Sequence, residues 1–336
     1  MNIYEVQEKN KRLTVLILLI FIGFFLIIGF GFDYFYLNQI KINSCSYTQR
    51  IEFIPIGTIA SLIISLIFVL IAFTNGIKML IRSTGARVPD PNNLKERQLL
   101  NVVEEMALAA GIPRPLTYIV PDNDLNAFAT GFSPEKSYIF VTQGLIDNLT
   151  REELQAVIGH EISHIRFYDI RLMTVVTVLI NAIGIISDII SRSMRRGSTG
   201  YRSSSSRRNS ASGIIFLIWI IFVILAPIIS RILAMAISRK REYLADAGSA
   251  ELTRNPKALI SALEKIRMAI QPTKSMKDSV AHLCITDPRG SLIEERTDFF
   301  SNLFATHPPM EKRILALKLM AYEYEKQTDT QNPSYK

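Results

Sequence analysis

The sequence predicts a mainly α-helical protein with a small β-sheet, in which multi-pass membrane helices are combined with a separate soluble domain. Three observations predict it. The hydrophobic fraction is 49%, and the surplus is gathered into a few long uncharged runs. Between and after those runs lie stretches with helical apolar spacing. Two short β-branched and aromatic segments account for the sheet.

Residues 1–80 read as an N-terminal transmembrane hairpin. Residues 13–32 carry no charge, and about 20 residues at roughly 1.5 Å each span a hydrocarbon core of about 30 Å. The run is longer than a signal-peptide core and no small-residue cleavage site follows it, so it reads as an anchor. Residues 53–77 form the second run. Lys9, Lys11 and Arg12 precede the pair and Lys78, Arg82 and Arg87 follow it, whereas Lys41 and Arg50 between them are offset by Asp33 and Glu52. The positive-inside rule then puts the N-terminus and the chain after Lys78 in the cytoplasm, as a multi-pass protein of the cell membrane.

Residues 81–171 read as the first part of the soluble domain. Leu94 to Ala110 has helical periodicity and stops at Gly111, and Thr117–Val120 and Tyr138–Val141 read as strands. Thr150 to Glu153 has the form of a capping box that opens a helix. Residues 172–238 hold a third and a fourth apolar run, Leu172–Ser187 and Ala211–Ser230, joined by a Ser-rich linker with six arginines and no acid. If both runs cross, that linker faces outside, against the positive-inside rule; if they form a hairpin in the leaflet, it stays inside. The length of the fourth run favours crossing. Residues 239–325 read as the second, helical part of the domain, with a turn at Asn255-Pro256, a mobile polar loop over Gln271–Arg296 and a last helix after His307-Pro308-Pro309. Residues 326–336 read as a disordered tail.

The net charge of +8 sits mostly beside apolar runs, which points to a lipid membrane as partner and not to nucleic acid. No GxxxxGK[ST] stretch occurs, so ATP is not expected to drive the chemistry. Cys45 and Cys284 are too few for a disulfide scaffold or a thiolate metal site. The orientation puts them on opposite sides, where they cannot pair and where thiol labelling would tell the sides apart.

The chemistry centres on His160-Glu161-Ile162-Ser163-His164. On a helix, residues four apart share a face, so both imidazoles can hold one metal ion while Glu161 takes a proton from a metal-activated water. Residue frequencies make a chance HExxH on the order of 1% in such a chain, and the pair uses two of only four histidines. Zinc needs a third protein ligand. The Gly and His of a metzincin would fall at Phe167 and Ile170, which excludes that class. Glu242 is the best candidate, with Asp246 four residues on and placed to orient a ligand histidine. A solvated helix residue paired with nearby cations is the plainer alternative for Glu242.

Four segments, AFATG, VIGHEISH, SRKREYLADAGSAELT and FATHPPMEKRI, resemble those of HtpX-type membrane zinc endopeptidases, relatives of the CAAX prenyl endopeptidases. The resemblance implies a zincin-type metalloprotease domain of the gluzincin kind, with one Zn2+ held by His160, His164 and Glu242 and with Glu161 as general base. It implies ATP-independent cleavage of membrane or unfolded proteins at the cytoplasmic side, in quality control. It further implies that Asn126 and Ala127 bind substrate backbone, that His307 steadies the oxyanion and that Arg313 pairs with an active-site carboxylate. A CAAX-type prenyl endopeptidase and a non-catalytic metal-binding adaptor are the alternatives. Four apolar runs are few for the chamber of the former, and Glu161 is superfluous in the latter.

Overall fold

In a computed structural model the described residues are 3–43, 55–180, 192, 240–269, 283–285 and 308–331. The end of the third run, the Ser/Arg linker, the fourth run, His307 and most of 271–296 lie outside them. The chain divides into two compact units, one of residues 14–74 and 178–233 and one formed by the rest.

Helix α1 (Ile3–Asn43) and helix α2 (Ile56–Thr84) form a hairpin in the first unit through their residues 14–43 and 56–74, while the first turns of α1 and the last of α2 belong to the second unit. Gly29 lets them touch: a Cβ there would stand 2.2 Å from Ser61 Oγ and 2.6 Å from the Gly57 carbonyl. Asp33, read from sequence as a loop charge, is helical. Its carboxylate accepts from the Gly57 and Thr58 amides at 2.7 and 2.8 Å and so caps the start of α2. One described helix, over Tyr4–Tyr34, is long and apolar enough to cross a membrane. Helix α2 meets that test only if its two parts, bent by 60° between Ile71 and Phe73, count as one span.

The second unit holds the remaining described elements. Helix α3 (Leu94–Ala110) starts where Asn93 accepts from the Lys95 and Glu96 amides, and it ends at Gly111, whose φ of 67° suits glycine. Strands β1 (Leu116–Val120), β2 (Ala127–Ser133) and β3 (Lys136–Thr142) form a sheet in the order β1-β3-β2. β1 runs parallel to β3, and β2 antiparallel. The strand pattern in the sequence missed β2, which is nearly all buried and therefore lacks alternation. After helix α4 (Gln143–Asn148), helix α5 (Arg151–Arg166) carries the HEISH segment. Residues 169–180 are again helical, and the first of them belong to this unit: Thr174 Oγ1 lies 2.7 Å from Thr130 Oγ1 on β2 and accepts from the Gly131 amide at 3.0 Å.

Helices α6 (Lys240–Thr253), α7 (Pro256–Met268) and α8 (Met310–Gln331) complete the unit. Helix α5 packs against α3, α6, α7 and β2, with Val157, Ile158 and Ile162 of α5 and Leu263 of α7 fully buried. Helix α8 runs past Lys326, where the sequence suggested a disordered tail, because the next residues include no proline or glycine. Residues 283–285, within the stretch expected to be a mobile loop, are buried beside β2: Phe128 bridges Cys284 antiparallel, and the Ile285 amide donates to the Ala127 carbonyl at 2.9 Å. Cys284 is thus shielded from thiol reagents on either side of a membrane.

The capping box of α5 does more than start a helix. Burial pushes the Glu153 carboxyl up, but Lys265 at 2.6 Å, Ser261 at 2.6 Å and the Thr150 amide at 2.8 Å hold it below its usual value of 4.5. A depressed folded value means that stability is present above about 4.5 and is lost as pH falls through the folded value. Glu153→Gln is expected to cost about 1.5–3 kcal/mol at pH 7 and much less at pH 3. Denaturant midpoints of the two proteins at both pH values test this; a gap that does not narrow in acid refutes it.

Candidate metal centre

Helix α5 brings two imidazoles to one point. His160 and His164 lie one turn apart on its buried face, with Nε2 atoms 3.2 Å apart and rings perpendicular. Glu242, in the first turn of α6, places Oε2 at 3.6 Å from His160 Nε2 and Oε1 at 3.7 Å from His164 Nε2. Small residues at the α5–α6 crossing permit this approach. A Cβ on Gly248 would stand 2.4 Å from Ser163 Oγ, and Ser249 Oγ donates to the Ala156 carbonyl at 2.6 Å. A larger side chain at 248 would push Glu242 away from the histidines.

Each imidazole is oriented from its far side. His160 Nδ1 donates to Asp246 Oδ1 at 2.9 Å, and His164 Nδ1 donates to Asp169 Oδ2 at 3.1 Å. In the neutral imidazole, donation through Nδ1 leaves Nε2 as a lone-pair acceptor in both residues. Two lone pairs and a carboxylate then converge, which is electrostatically unfavourable without a cation among them. Separations of 3.2–3.7 Å fit the edges of a tetrahedron whose ligands stand about 2.0–2.2 Å from a central ion. Within the described residues, His160, His164 and Glu242 are the group of ligand atoms close enough to hold one ion.

Charge tells the same story. Among the described residues, Glu161, Asp169, Glu242 and Asp246 are buried, as are the arginines Arg241 and Arg313. Carboxylates outnumber guanidinium groups in this set, which favours a cation. Burial pushes the His160 imidazole down, yet the Asp246 and Glu242 carboxylates outweigh it and raise it to about 9. The pocket draws positive charge.

Glu161 is the exception among these carboxylates. Both of its oxygens are buried without a hydrogen bond of good geometry. Burial pushes its pKa up, and the two imidazoles and the nearby Ala129 amide offset this only in part. A carboxyl raised in this way can both take and return a proton.

Arg313, fully buried, ties the surroundings together. It clasps Asp246 through Nε at 2.9 Å and a terminal nitrogen at 2.7 Å. Its other terminal nitrogen donates to the Ile285 carbonyl at 3.0 Å and lies 3.3 Å from Glu242 Oε2. Burial opposes the Asp246 charge, but Arg313 and His160 hold that carboxyl below its usual value.

Asn126 and Ala127 sit at the start of β2. The Asn126 amide oxygen accepts from the Ala127 N–H at 3.0 Å, and the Ala127 carbonyl is taken by Ile285, so both outward groups of Ala127 are engaged within the chain. Strand alternation makes Ala129 the next outward rung, beside Glu161. The sequence reading did not identify Asp169 as the partner of His164. Its spacing gives no helical face in common with that residue, because α5 ends at Arg166 and the turn that follows swings Asp169 back. An acid just past an HExxH helix was the one available signal.

Residues 93–321 match Peptidase family M48. The chain belongs to that family. A protease HtpX homolog of Streptococcus uberis is 40% identical over 325 residues, covering 95% of this chain and 100% of that protein. One from Thermoanaerobacter pseudethanolicus is 42% identical over 318 residues, covering 94% and 97%. These matches make this M48 peptidase HtpX-type, in agreement with the motif resemblance. The crystal structure of S. mikatae Ste24p aligns with a TM-score of 0.46 and 19% identity, covering 76% of this chain and 57% of that one.

Proposed function

We propose that this chain is a membrane-bound zinc endopeptidase that cleaves membrane or misfolded proteins at the cytoplasmic face, without ATP, in membrane protein quality control. The observation that carries the reading is the convergence of His160 Nε2, His164 Nε2 and a Glu242 oxygen beside the buried carboxyl of Glu161. In it, His160, His164 and Glu242 hold one Zn2+. When bound, zinc would polarise a peptide carbonyl and acidify water near neutral pH. Glu161 accepts the proton of the attacking water and returns it to the leaving amine. Asp246 and Asp169 keep the two imidazoles in the Nδ1–H form, and Arg313 keeps Asp246 ionised. An extended substrate pairs with β2 at Ala129, at the end of the segment marked by Asn126 and Ala127. His307 supplies a donor to the oxyanion.

Full-length protein in detergent tests this. One zinc per chain and hydrolysis of a casein-type substrate are expected. Removal of the metal with a chelator should abolish hydrolysis and lower the thermal midpoint, and added zinc should restore both. Bound zinc with no hydrolysis would instead favour a non-catalytic adaptor, and cleavage only of isoprenylated peptides a CAAX-type enzyme. Because Cys284 is buried, sidedness needs a new thiol. Leu94→Cys, at an exposed site, should resist impermeant reagents added outside intact cells; ready labelling there would overturn the cytoplasmic placement.

A further inference from the structure

The carboxylate that orients His164 is held in turn from the far end of the chain. Asp169 follows Tyr168, whose φ of 61° is unusual for a non-glycine residue. Such a conformation costs on the order of 1 kcal/mol or more and persists where its surroundings fix it. The first turns of α1 provide those surroundings. Gln7 Nε2 donates to the Arg166 carbonyl at 2.7 Å, and Lys11 Nζ stands 4.4 Å from the centre of the Tyr168 ring. Asn10 reaches furthest. Its Nδ2 donates to the Phe167 carbonyl at 3.0 Å and to Asp169 Oδ1 at 2.6 Å. Both Asn10 and Asp169 are buried.

The two oxygens of Asp169 therefore have separate duties. Oδ2 accepts from His164 while Oδ1 is fixed by Asn10, with Arg241 3.7 Å away. Gln7 and Lys11 dock the helix on main chain and on a ring; Asn10 alone among these three side chains bonds the group that touches a proposed metal ligand. A short hydrogen bond to a buried carboxylate restricts its rotation, and a ligand histidine follows the carboxylate that holds its second nitrogen. We propose that Asn10 is a positioning residue of the metal centre, which makes the start of the amino-terminal helix part of the site's scaffold as well as of the anchor. This rests on the zinc reading above.

The test uses the full-length chain in detergent. Zinc affinity is measured by competition with a chromophoric chelator, and the visible spectrum of the cobalt-substituted site is recorded. Asp169→Ala is expected to weaken zinc binding by about 10- to 100-fold and Asn10→Ala by about fivefold, with an altered cobalt spectrum. The double variant should bind no more weakly than Asp169→Ala alone, because Asn10 acts through Asp169. Gln7→Ala, which loosens the docking without touching Asp169, should stay within about twofold of the wild type. Where Asn10→Ala is too unstable to purify, Asn10→Ser, too short to reach Oδ1, gives the same reading. An unchanged affinity and spectrum in the Asn10 variant, or a full additive loss in the double variant, would overturn the inference. A wild-type chain that takes up no zinc would overturn the metal reading itself and this inference with it.

Discussion

The Glu161→Gln variant is expected to keep its fold and its zinc while losing peptide hydrolysis by about 10²- to 10⁴-fold. The substitution preserves shape and removes only the capacity to carry a proton. Neither Glu161 oxygen holds a hydrogen bond of good geometry, so no structural bond is broken. Burial is the main cause that raises the Glu161 pKa, so replacing the acid with a neutral amide removes a cost of folding. The thermal midpoint is therefore expected to stay level or rise. Turnover of a casein-type substrate, zinc content and thermal midpoint are measured together. Undiminished hydrolysis in a zinc-loaded variant would eliminate Glu161 as the general base.

Arg313→Met is expected to be the most destabilising single change at the site, at about 3–5 kcal/mol. Arg313 is fully buried and satisfies both oxygens of Asp246 and the Ile285 carbonyl. Methionine fills much of the space but leaves a buried carboxylate facing no cation. Asp246 then protonates or rotates, and His160 loses the acceptor that keeps Nε2 free for a metal. Zinc affinity is expected to fall by about 10- to 100-fold alongside the stability. Arg313→Lys should not rescue either quantity, because an ammonium cannot form the two-pronged clasp and reach Ile285 as well. Denaturant midpoints in detergent and chelator competition measure the two effects. A loss under about 1 kcal/mol would show that Arg313 is not the counter-ion the geometry makes it.

The two readings of residues 283–285 show how burial decides between equivalent sequences. In the chain, Leu283-Cys284-Ile285 is a short apolar patch inside a polar stretch, and nothing local distinguishes it from a loop. In the fold, the Ile285 amide and carbonyl are both used, one by β2 and one by Arg313. Strand β2 itself was not read as a strand from the sequence. Its buried pattern lacks the period-two alternation that betrays a half-exposed strand.

What the sequence determined by itself is what lies within a few residues. The i, i+4 spacing of His160 and His164 fixes a shared helical face, Thr150 and Glu153 fix where that helix begins, and Gly111 fixes where α3 stops. The uncharged run of α1 fixes an apolar helix long enough to cross a membrane. The pairing of Glu242 and Asp246 followed from their own four-residue spacing, but nothing in that spacing aimed them at His160. Tertiary structure decided that, through the close crossing at Gly248 and Ser249 that brings α6 onto α5. It also decided the partner of His164, since Asp169 turns back only because of the bend at Tyr168 and meets Asn10 from 159 residues away. Periodicity places side chains on faces; which faces meet is set by the burial of apolar surface over the whole chain, which no local spacing encodes.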